Sequence, residues 1–107
     1  GKRRRQMHSG IDICASAGTI IRAAQSGVVT FSGVSGNYGR MVIITHADGY
    51  QTVYAHNSVN IVTRGQRVNL GDPIARVGAT GNATGNHCHF EIRFKGVAAN
   101  PMSWLKK

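Results

Sequence analysis

The chain has 107 residues, which is enough for one domain with a single modest hydrophobic core but not for two. Its 13 lysines and arginines outnumber four acidic residues, and the formal net charge of +9 favours an anionic partner. No apolar run approaches the roughly 18 residues that a membrane-spanning helix requires, so this sequence contains no such helix.

Glycine accounts for 14 residues, and short β-branched runs lie between the glycines. This pattern is typical of short strands joined by tight turns. We therefore predict an all-β domain built on a mostly antiparallel sheet, with short strands and long loops. In chain order, the predicted strands cover Ile11–Cys14, Thr19–Arg22, Gly27–Ser32, Met41–His46, Thr52–His56, Pro73–Val77 and His89–Phe94.

Several connections between these strands carry turn residues. The run Ala47-Asp48-Gly49-Tyr50 predicts a hairpin connection, because Asp-Gly tolerates the positive backbone angles of tight turns. Lys95-Gly96 is a second candidate, and Arg64-Gly65-Gln66 is a third turn inside the otherwise unassigned segment 58–70. We find no internal repeat and no interior linker, so the chain 1–107 is predicted to be one domain.

Two short motifs hold three of the five histidines, His8-Ser9-Gly10-Ile11-Asp12 and His87-Cys88-His89. A catalytic zinc ion takes three nitrogen or oxygen ligands from protein and leaves its fourth position to water. Residues at i and i+4 share a face in a strand or a helix, whereas residues at i and i+2 share one only in a strand. His8, Asp12 and one histidine of the late pair could therefore supply three ligands.

Either motif alone is explained equally well by histidines hydrogen-bonded beside a core. The two motifs together favour a metal site more strongly. A third histidine, His56, ends the apolar-polar alternation that begins at Thr52, and a glycine-rich loop from Gly78 to Asn86 leads directly into His87.

These residues resemble the LytM and lysostaphin type zinc metallopeptidases, which cut peptidoglycan peptides. The resemblance extends over nearly the whole chain and is carried by residues 8–13, Gly18-Thr19, Ala23 to Gly27, Asn37-Tyr38-Gly39, Tyr54-Ala55-His56, Gly65, Gly71, Gly78 to Gly81, residues 87–93 and Asn100-Pro101.

The resemblance implies a role for each of five residues. His8, Asp12 and His89 correspond to the zinc ligands, while His56 and His87 correspond to the catalytic pair that handles the water and the transition state. All five are present, whereas degenerate members of the family lack ligands and activate other wall hydrolases. The implied reaction is zinc-dependent hydrolysis of an amide bond in a peptidoglycan stem peptide or cross-bridge, outside the cytoplasm: in the periplasm, in the cell envelope or after secretion.

Few other carboxylates could serve as a base, because the chain has only Asp12, Asp48, Asp72 and Glu91. Asp48 and Asp72 lie in turn sequences, where aspartate is common for backbone reasons. Glu91 shares strand parity with the late histidines, and we favour a supporting role for it, orienting a histidine or packing at an edge, over that of a base.

The remaining candidates for chemistry are interpreted as structural. Strand alternation places Cys88 on the face opposite His87 and His89, so a cysteine nucleophile is not supported, and we expect no disulfide with Cys14. His46 stands alone before a turn and is predicted to be structural or exposed. Its replacement is expected to leave zinc content and activity intact.

The basic charge leaves several partners to consider. Arginine runs such as Arg3-Arg4-Arg5 could pair with nucleic-acid phosphates, but the chain has no recognised nucleic-acid motif. We expect no specific nucleic-acid partner and a monomeric protein. Besides peptidoglycan peptides, anionic wall polymers and lipid head groups fit the charge, and a solvated basic surface is the simplest explanation.

A third class of function uses the same fold without catalysis. Such a protein would be a silent regulator that binds peptidoglycan or activates a cell-wall amidase. The sequence starts only seven residues before His8, and we expect it to be a fragment of a longer protein. The loops 32–40, 56–65 and 78–86 are predicted to shape the substrate groove, with Asn37 and Tyr38 either contacting substrate or forming a turn.

Overall fold

The computed structural model describes residues 10–81, 85–94 and 97–99. Within these ranges the chain forms strands and two short 3-10 turns, at Gly36–Tyr38 and Ala47–Gly49. None of the helical segments in the described ranges has the length and apolar character needed to cross a bilayer. The strands are β1 (Ile11–Cys14), β2 (Ile20–Arg22), β3 (Gly27–Val34), β4 (Arg40–Thr45), β5 (Tyr50–Asn60), β6 (Arg67–Val68), β7 (Pro73–Val77), β8 (His87–Phe94) and β9 (Val97–Ala99).

The strands form one sheet, and every strand pair is antiparallel, as the sequence predicts. The main order is β1-β8-β5-β4-β3-β6, with β7 pairing to both β5 and β2, and with β9 beside β8. The prediction missed β6 and β9, and it began β8 two residues late. The predicted hairpin turn at Ala47–Gly49 does connect β4 and β5, whereas the predicted Lys95-Gly96 turn lies outside the described residues.

Side chains on both faces of the central strands are buried. On one face lies the main core, which includes Ile44, Tyr54, Ile74 and Ile92, all at most 2% exposed. Burying a side chain of this size stabilises the fold by roughly 1.5–3 kcal/mol. The other face carries a small cluster around Met41, Val53 and Ala55. Because this second cluster is small, the rest of that face remains available for polar side chains.

His46 lies in the connection between β4 and β5 and is only 7% exposed, which supports its interpretation as a structural residue. Its Nδ1 donates to the Ser26 carbonyl at 2.7 Å, and its Nε2 lies 2.7 Å from Thr52 Oγ1. Thr52 Oγ1 in turn lies 2.7 Å from the Tyr54 hydroxyl, which also accepts the Ala24 backbone N–H. The hydroxyls of Thr52 and Tyr54 therefore both have hydrogen-bond partners inside the core, which avoids the energetic cost of buried, unpaired polar groups.

This histidine makes the fold sensitive to acid. Burial lowers the pKa of His46 below its usual 6.5, despite the hydrogen bond to Ser26. The unfolded chain therefore binds a proton more readily than the folded chain, so the stability that neutral His46 contributes is present above pH 6.5 and is lost as the pH falls below it. We expect the melting temperature of the wild type to fall more between pH 7.5 and pH 5 than that of His46→Gln, measured by circular dichroism. Equal falls in the two proteins would contradict this assignment.

Candidate active site

Three neighbouring strands bring the predicted site residues onto one face of the sheet. In the pairing of β1 with β8, Asp12 lies opposite His89 and Cys14 lies opposite His87. In the pairing of β8 with β5, His89 lies opposite Ala55. Directly opposed residues in antiparallel strands project to the same face, so Asp12, His87 and His89 share the face that carries Ala55.

Asp12 and the two late histidines are close enough to act on a common ligand. His89 Nδ1 lies 2.8 Å from Asp12 Oδ1, and His87 Nε2 lies 3.6 Å from the same oxygen. The Asp12 side chain is 36% exposed, whereas those of His87 and His89 are 14% and 12% exposed. The three groups therefore form a half-buried polar cluster that opens to solvent on the side of the carboxylate.

A glycine allows β1 to approach β8 so closely. Gly10 precedes β1 with φ 108°, and a Cβ built there would lie 2.6 Å from the Cγ of Glu91. Only glycine adopts such a backbone angle readily while leaving room for the adjacent strand. The glycine of the His8-Ser9-Gly10 motif thus serves the packing of Asp12 against β8.

Glu91 fixes the orientation of the His89 ring. His89 Nε2 donates to Glu91 Oε2 at 2.8 Å, which leaves Nδ1 facing Asp12. Burial alone would lower the pKa of His89, but the hydrogen bonds with Glu91 and Asp12 outweigh it and raise that pKa. Two carboxylates around one imidazole favour a positive charge between Asp12 and His89, whether it is a proton or a metal cation.

The carboxylate of Glu91 has several donors and is only 2% exposed. Its Oε2 also accepts the Tyr38 hydroxyl at 2.8 Å, while Oε1 accepts Arg93 Nε at 2.9 Å. Burial would raise the pKa of Glu91, yet the hydrogen bonds from His89 and Tyr38 and the charge of Arg93 together lower it. A buried carboxylate held by these donors supports a histidine and is poorly placed to act as a base on substrate. This arrangement supports the role that we favoured for Glu91.

His56 reaches the same face through an irregularity in β5. Ala55 and His56 together lie opposite the single residue Met41 of β4, and beyond this bulge Asn57 pairs with Val77 of β7. Among the described residues other than glycine, His56 alone has a positive φ, of 66°. β-bulges redirect side chains beside functional sites, and a non-glycine residue in this region costs of order 1 kcal/mol or more.

The His56 ring is held by the loop that follows β7. His56 Nδ1 donates to the Thr80 carbonyl at 2.8 Å, so in the neutral ring Nε2 carries the lone pair. Thr80 Oγ1 donates to the Asn57 carbonyl at 2.7 Å and accepts the Arg40 N–H at 3.0 Å. Burial, together with the nearby His87, lowers the pKa of His56 despite the Thr80 hydrogen bond. His56 is therefore neutral near pH 7 and able to accept a proton.

Two of the four described residues of the predicted set, His56 and His89, line an open cavity, and His87 and Asp12 lie beside them. The ring centroids of His56 and His87 are 5.1 Å apart, and those of His56 and His89 are 6.0 Å apart. The cavity has a volume of about 170 Å³ and is lined by Asn37, Tyr38, His56 and His89. Asn37 and Tyr38, which we considered as substrate contacts, thus line the same cavity as His56 and His89.

The donor set suits zinc, which prefers imidazole nitrogen and carboxylate oxygen. Asp12 and His89 converge as two of the expected ligands, and the third, His8, lies outside the described residues. Within residues 10–81, 85–94 and 97–99, no three His, Cys, Asp or Glu side chains form a group arranged to hold a metal. Asp12 and His89 therefore fit two of the three ligand positions. Their Oδ1 and Nδ1 atoms lie 2.8 Å apart, close enough to bind one ion.

Both cysteines are free thiols, as the sequence predicts. Cys88 faces the core, and burial raises its pKa to about 12. A buried thiol with this pKa is almost never a thiolate and is inert as a nucleophile. Cys14 is exposed at the end of β1. Cys88 is thus not supported as a nucleophile.

The sequence did not indicate two of the supports around the histidines. One is the set of hydrogen bonds that Tyr38 and Arg93 donate to Glu91. Tyr38 and Glu91 are 53 positions apart, so the sequence contains no indication that they are in contact. The other is Thr80, whose carbonyl and hydroxyl hold β5 and its histidine. The only available signals were the strand parity of Glu91 and Arg93 with His89, and the position of Tyr38 in the Asn-Tyr-Gly turn.

Comparison with known sequences gives a family match over most of the chain. The pattern of peptidase family M23 matches residues 6–101. The chain is 46% identical over 98 residues to the DD-carboxypeptidase/endopeptidase Mpg of Neisseria meningitidis serogroup B, covering 92% of this chain and 23% of that protein. It is 41% identical over 99 residues to the murein hydrolase activator NlpD of Escherichia coli K12, covering 92% and 26%. The chain thus spans about a quarter of the length of these relatives.

Solved structures share the fold. The catalytic domain of the antimicrobial peptidase lysostaphin from Staphylococcus simulans superposes with a TM-score of 0.87 at 31% identity, covering 94% of this chain and 80% of that one. A zinc-containing peptidase from Vibrio cholerae superposes with a TM-score of 0.85 at 33% identity, covering 89% and 29%. The antiparallel sheet described above is therefore similar to the folds of these peptidases.

Proposed function

Since the chain belongs to peptidase family M23, we propose that it is a zinc-dependent endopeptidase that hydrolyses amide bonds in peptidoglycan stem peptides or cross-bridges. The observation that carries this proposal is the clustering of Asp12, His56, His87 and His89, beside an open cavity that His56 and His89 line. The relatives named as an endopeptidase and as a peptidase support it.

The metal ligands in this proposal are His8, Asp12 and His89. Zinc held by them would polarise the scissile carbonyl and lower the pKa of water, which is the chemistry that such a site supplies. The contribution of the protein is the orientation of the ligands, and the contact of Glu91 with His89 is an example.

The proton transfers in this proposal fall to the two remaining histidines. His56 is neutral and has its Nε2 lone pair available, so it accepts a proton from the attacking water and returns it to the leaving amine. The role of His87, whose Nε2 lies 3.6 Å from Asp12 Oδ1, is to donate a hydrogen bond to the oxyanion of the tetrahedral intermediate. One water is consumed, and the products are a carboxylate and an amine, without a covalent enzyme adduct.

The relatives support the proposed substrate class and location. A murein hydrolase activator and a carboxypeptidase/endopeptidase at above 40% identity support a peptidoglycan substrate and a location outside the cytoplasm, in the periplasm, in the cell envelope or after secretion. The net charge of +9 is compatible with additional contacts to anionic wall polymers or lipid head groups. We propose no specific nucleic-acid partner.

The test is mass spectrometry of defined cross-linked muropeptides and glycine-bridged peptides after incubation with the zinc-loaded protein. We expect the mass of one water to be added at one amide bond. His87→Ala should lose this activity, whereas His46→Gln, which alters a histidine outside the cluster, should keep it. Failure of the wild type to cleave any of these substrates, at full zinc occupancy, would contradict the proposal.

A second function is favoured by one specific observation, the 41% identity to the murein hydrolase activator NlpD. In this alternative the domain binds peptidoglycan or activates a cell-wall amidase without hydrolysing peptides. The two functions are distinguished by adding the protein to a purified amidase with intact peptidoglycan. Stimulated release of stem peptides by the amidase, together with the absence of any peptide cleavage by the domain alone, would support the regulator.

A further inference from the structure

The contacts around Glu91 extend from the metal-ligand candidate His89 to the wall of the cavity. The Tyr38 hydroxyl donates to Glu91 Oε2 at 2.8 Å, the oxygen that also accepts His89 Nε2. Arg93 Nη2 donates to the same hydroxyl at 3.1 Å and lies 2.8 Å from Glu91 Oε1. Tyr38, Arg93 and His89 thus hold one buried carboxylate from three directions.

Tyr38 belongs to both this network and the cavity. It ends the 3-10 turn at Gly36–Tyr38 and lines the cavity beside Asn37 and His56. Its ring centroid is 5.9 Å from that of His89, and the Arg93 guanidinium lies 5.8 Å from the Tyr38 ring. Burial, together with the hydrogen bond to Glu91, raises the pKa of Tyr38, so the phenol remains a donor at neutral pH.

We propose that Tyr38 is a positioning residue for His89: its hydroxyl, held by Arg93, fixes the Glu91 oxygen that orients the His89 ring, and it thereby sets zinc affinity from the cavity wall. This inference rests on the proposed function, since it takes His89 to be a zinc ligand.

The Tyr38 hydroxyl matters for the position of Glu91 because this carboxylate is buried. The carboxylate is 2% exposed, so water does not readily replace a missing donor. Without the Tyr38 hydroxyl, Oε2 keeps only the His89 donor, and the carboxylate gains freedom to rotate about the Arg93 contact. The His89 ring would follow, and its Nδ1 would no longer be held toward Asp12. Mutating a carboxylate that accepts a hydrogen bond from a metal-ligating histidine typically weakens metal binding about 10- to 100-fold.

The experiment is a measurement of zinc affinity by competition with a chromophoric chelator at fixed pH. Tyr38→Phe removes the hydroxyl and keeps the ring, while Glu91→Gln removes the charge that His89 contacts. Tyr54→Phe is the matched control, because it also removes a hydrogen-bonded tyrosine hydroxyl, but from the core on the opposite face. The melting temperature of each metal-free variant measures its effect on folding separately.

We expect Tyr38→Phe to weaken zinc binding by about threefold to tenfold and Glu91→Gln by about 10- to 100-fold. Tyr54→Phe should lower the melting temperature and leave zinc affinity at the wild-type value. Wild-type zinc affinity in Tyr38→Phe would overturn the inference, and so would an equal loss of affinity in Tyr54→Phe. Absence of zinc binding by the wild-type protein would instead contradict the proposed function, so the two failures are distinguishable.

Discussion

Replacing His56 with alanine is expected to lower the rate of muropeptide hydrolysis by about 10²- to 10⁴-fold, the usual contribution of a general base. The ring is neutral, and its Nδ1 is held by the Thr80 carbonyl, so its Nε2 lone pair is the group whose loss matters. Zinc content should remain at the wild-type level, because His56 is not among the proposed ligands. The measurement is kcat with a defined muropeptide, beside metal analysis of the same preparation.

A second substitution at this position separates chemistry from folding. His56 adopts φ 66°, where glycine is favoured over alanine by roughly 1–2 kcal/mol. His56→Gly should therefore be more stable than His56→Ala by that amount in urea unfolding, while both are equally inactive. If the glycine variant regained activity, the imidazole would not be the base. If it were no more stable than the alanine variant, the assigned backbone strain would be wrong.

Replacing Gly39 with alanine is expected to destabilise the fold by about 2–4 kcal/mol and to impair hydrolysis as well. Gly39 has φ 65°, and a Cβ there would lie 2.6 Å from the Thr80 carbonyl oxygen, the same atom that holds His56. The loop would have to move away, and the His56 ring would lose its partner. The measurements are the free energy of unfolding in urea and kcat for the folded variant.

Gly36 provides the matched control in the same turn. It also has a positive φ, of 47°, but a Cβ there would meet no atom within 4 Å. Gly36→Ala should cost only about 1 kcal/mol, from its backbone conformation, and should keep its activity. Equal losses in the two variants would show that backbone angle, and not the close approach to Thr80, is what Gly39 provides.

The strands could be predicted from the sequence where apolar and polar residues alternate, and could not be predicted where they do not. The alternation that begins at Thr52 ends at His56, and the predicted strand ended there too. In the structure β5 continues to Asn60, because a bulge interrupts the alternation while the strand moves from one partner to another. The two residues of β6 are too few to show a period, so their pairing with β3 could only be found in three dimensions.

The residues proposed to carry the chemistry could be predicted from the sequence more completely than the residues that hold them in place. The spacing of His87 and His89 on a strand already placed both on one face, and parity placed Glu91 with them. The hydrogen bond between Tyr38 and Glu91 could not be predicted, since Tyr38 belongs to a turn that is distant in the sequence. The positive φ of His56 could not be predicted either, because a histidine at the end of an alternating strand pattern does not by itself indicate that conformation, which here accompanies the bulge in β5.

We infer that hydrolysis depends on a metal held by His8, Asp12 and His89. The most direct measurement is muropeptide cleavage by protein stripped with a chelator and then titrated with zinc, with bound zinc quantified at each point. We predict no cleavage in the stripped protein and a rise in rate that is proportional to bound zinc up to one ion per chain, with Asp12→Ala inactive throughout. Full hydrolysis by protein that contains no bound divalent metal would contradict the account.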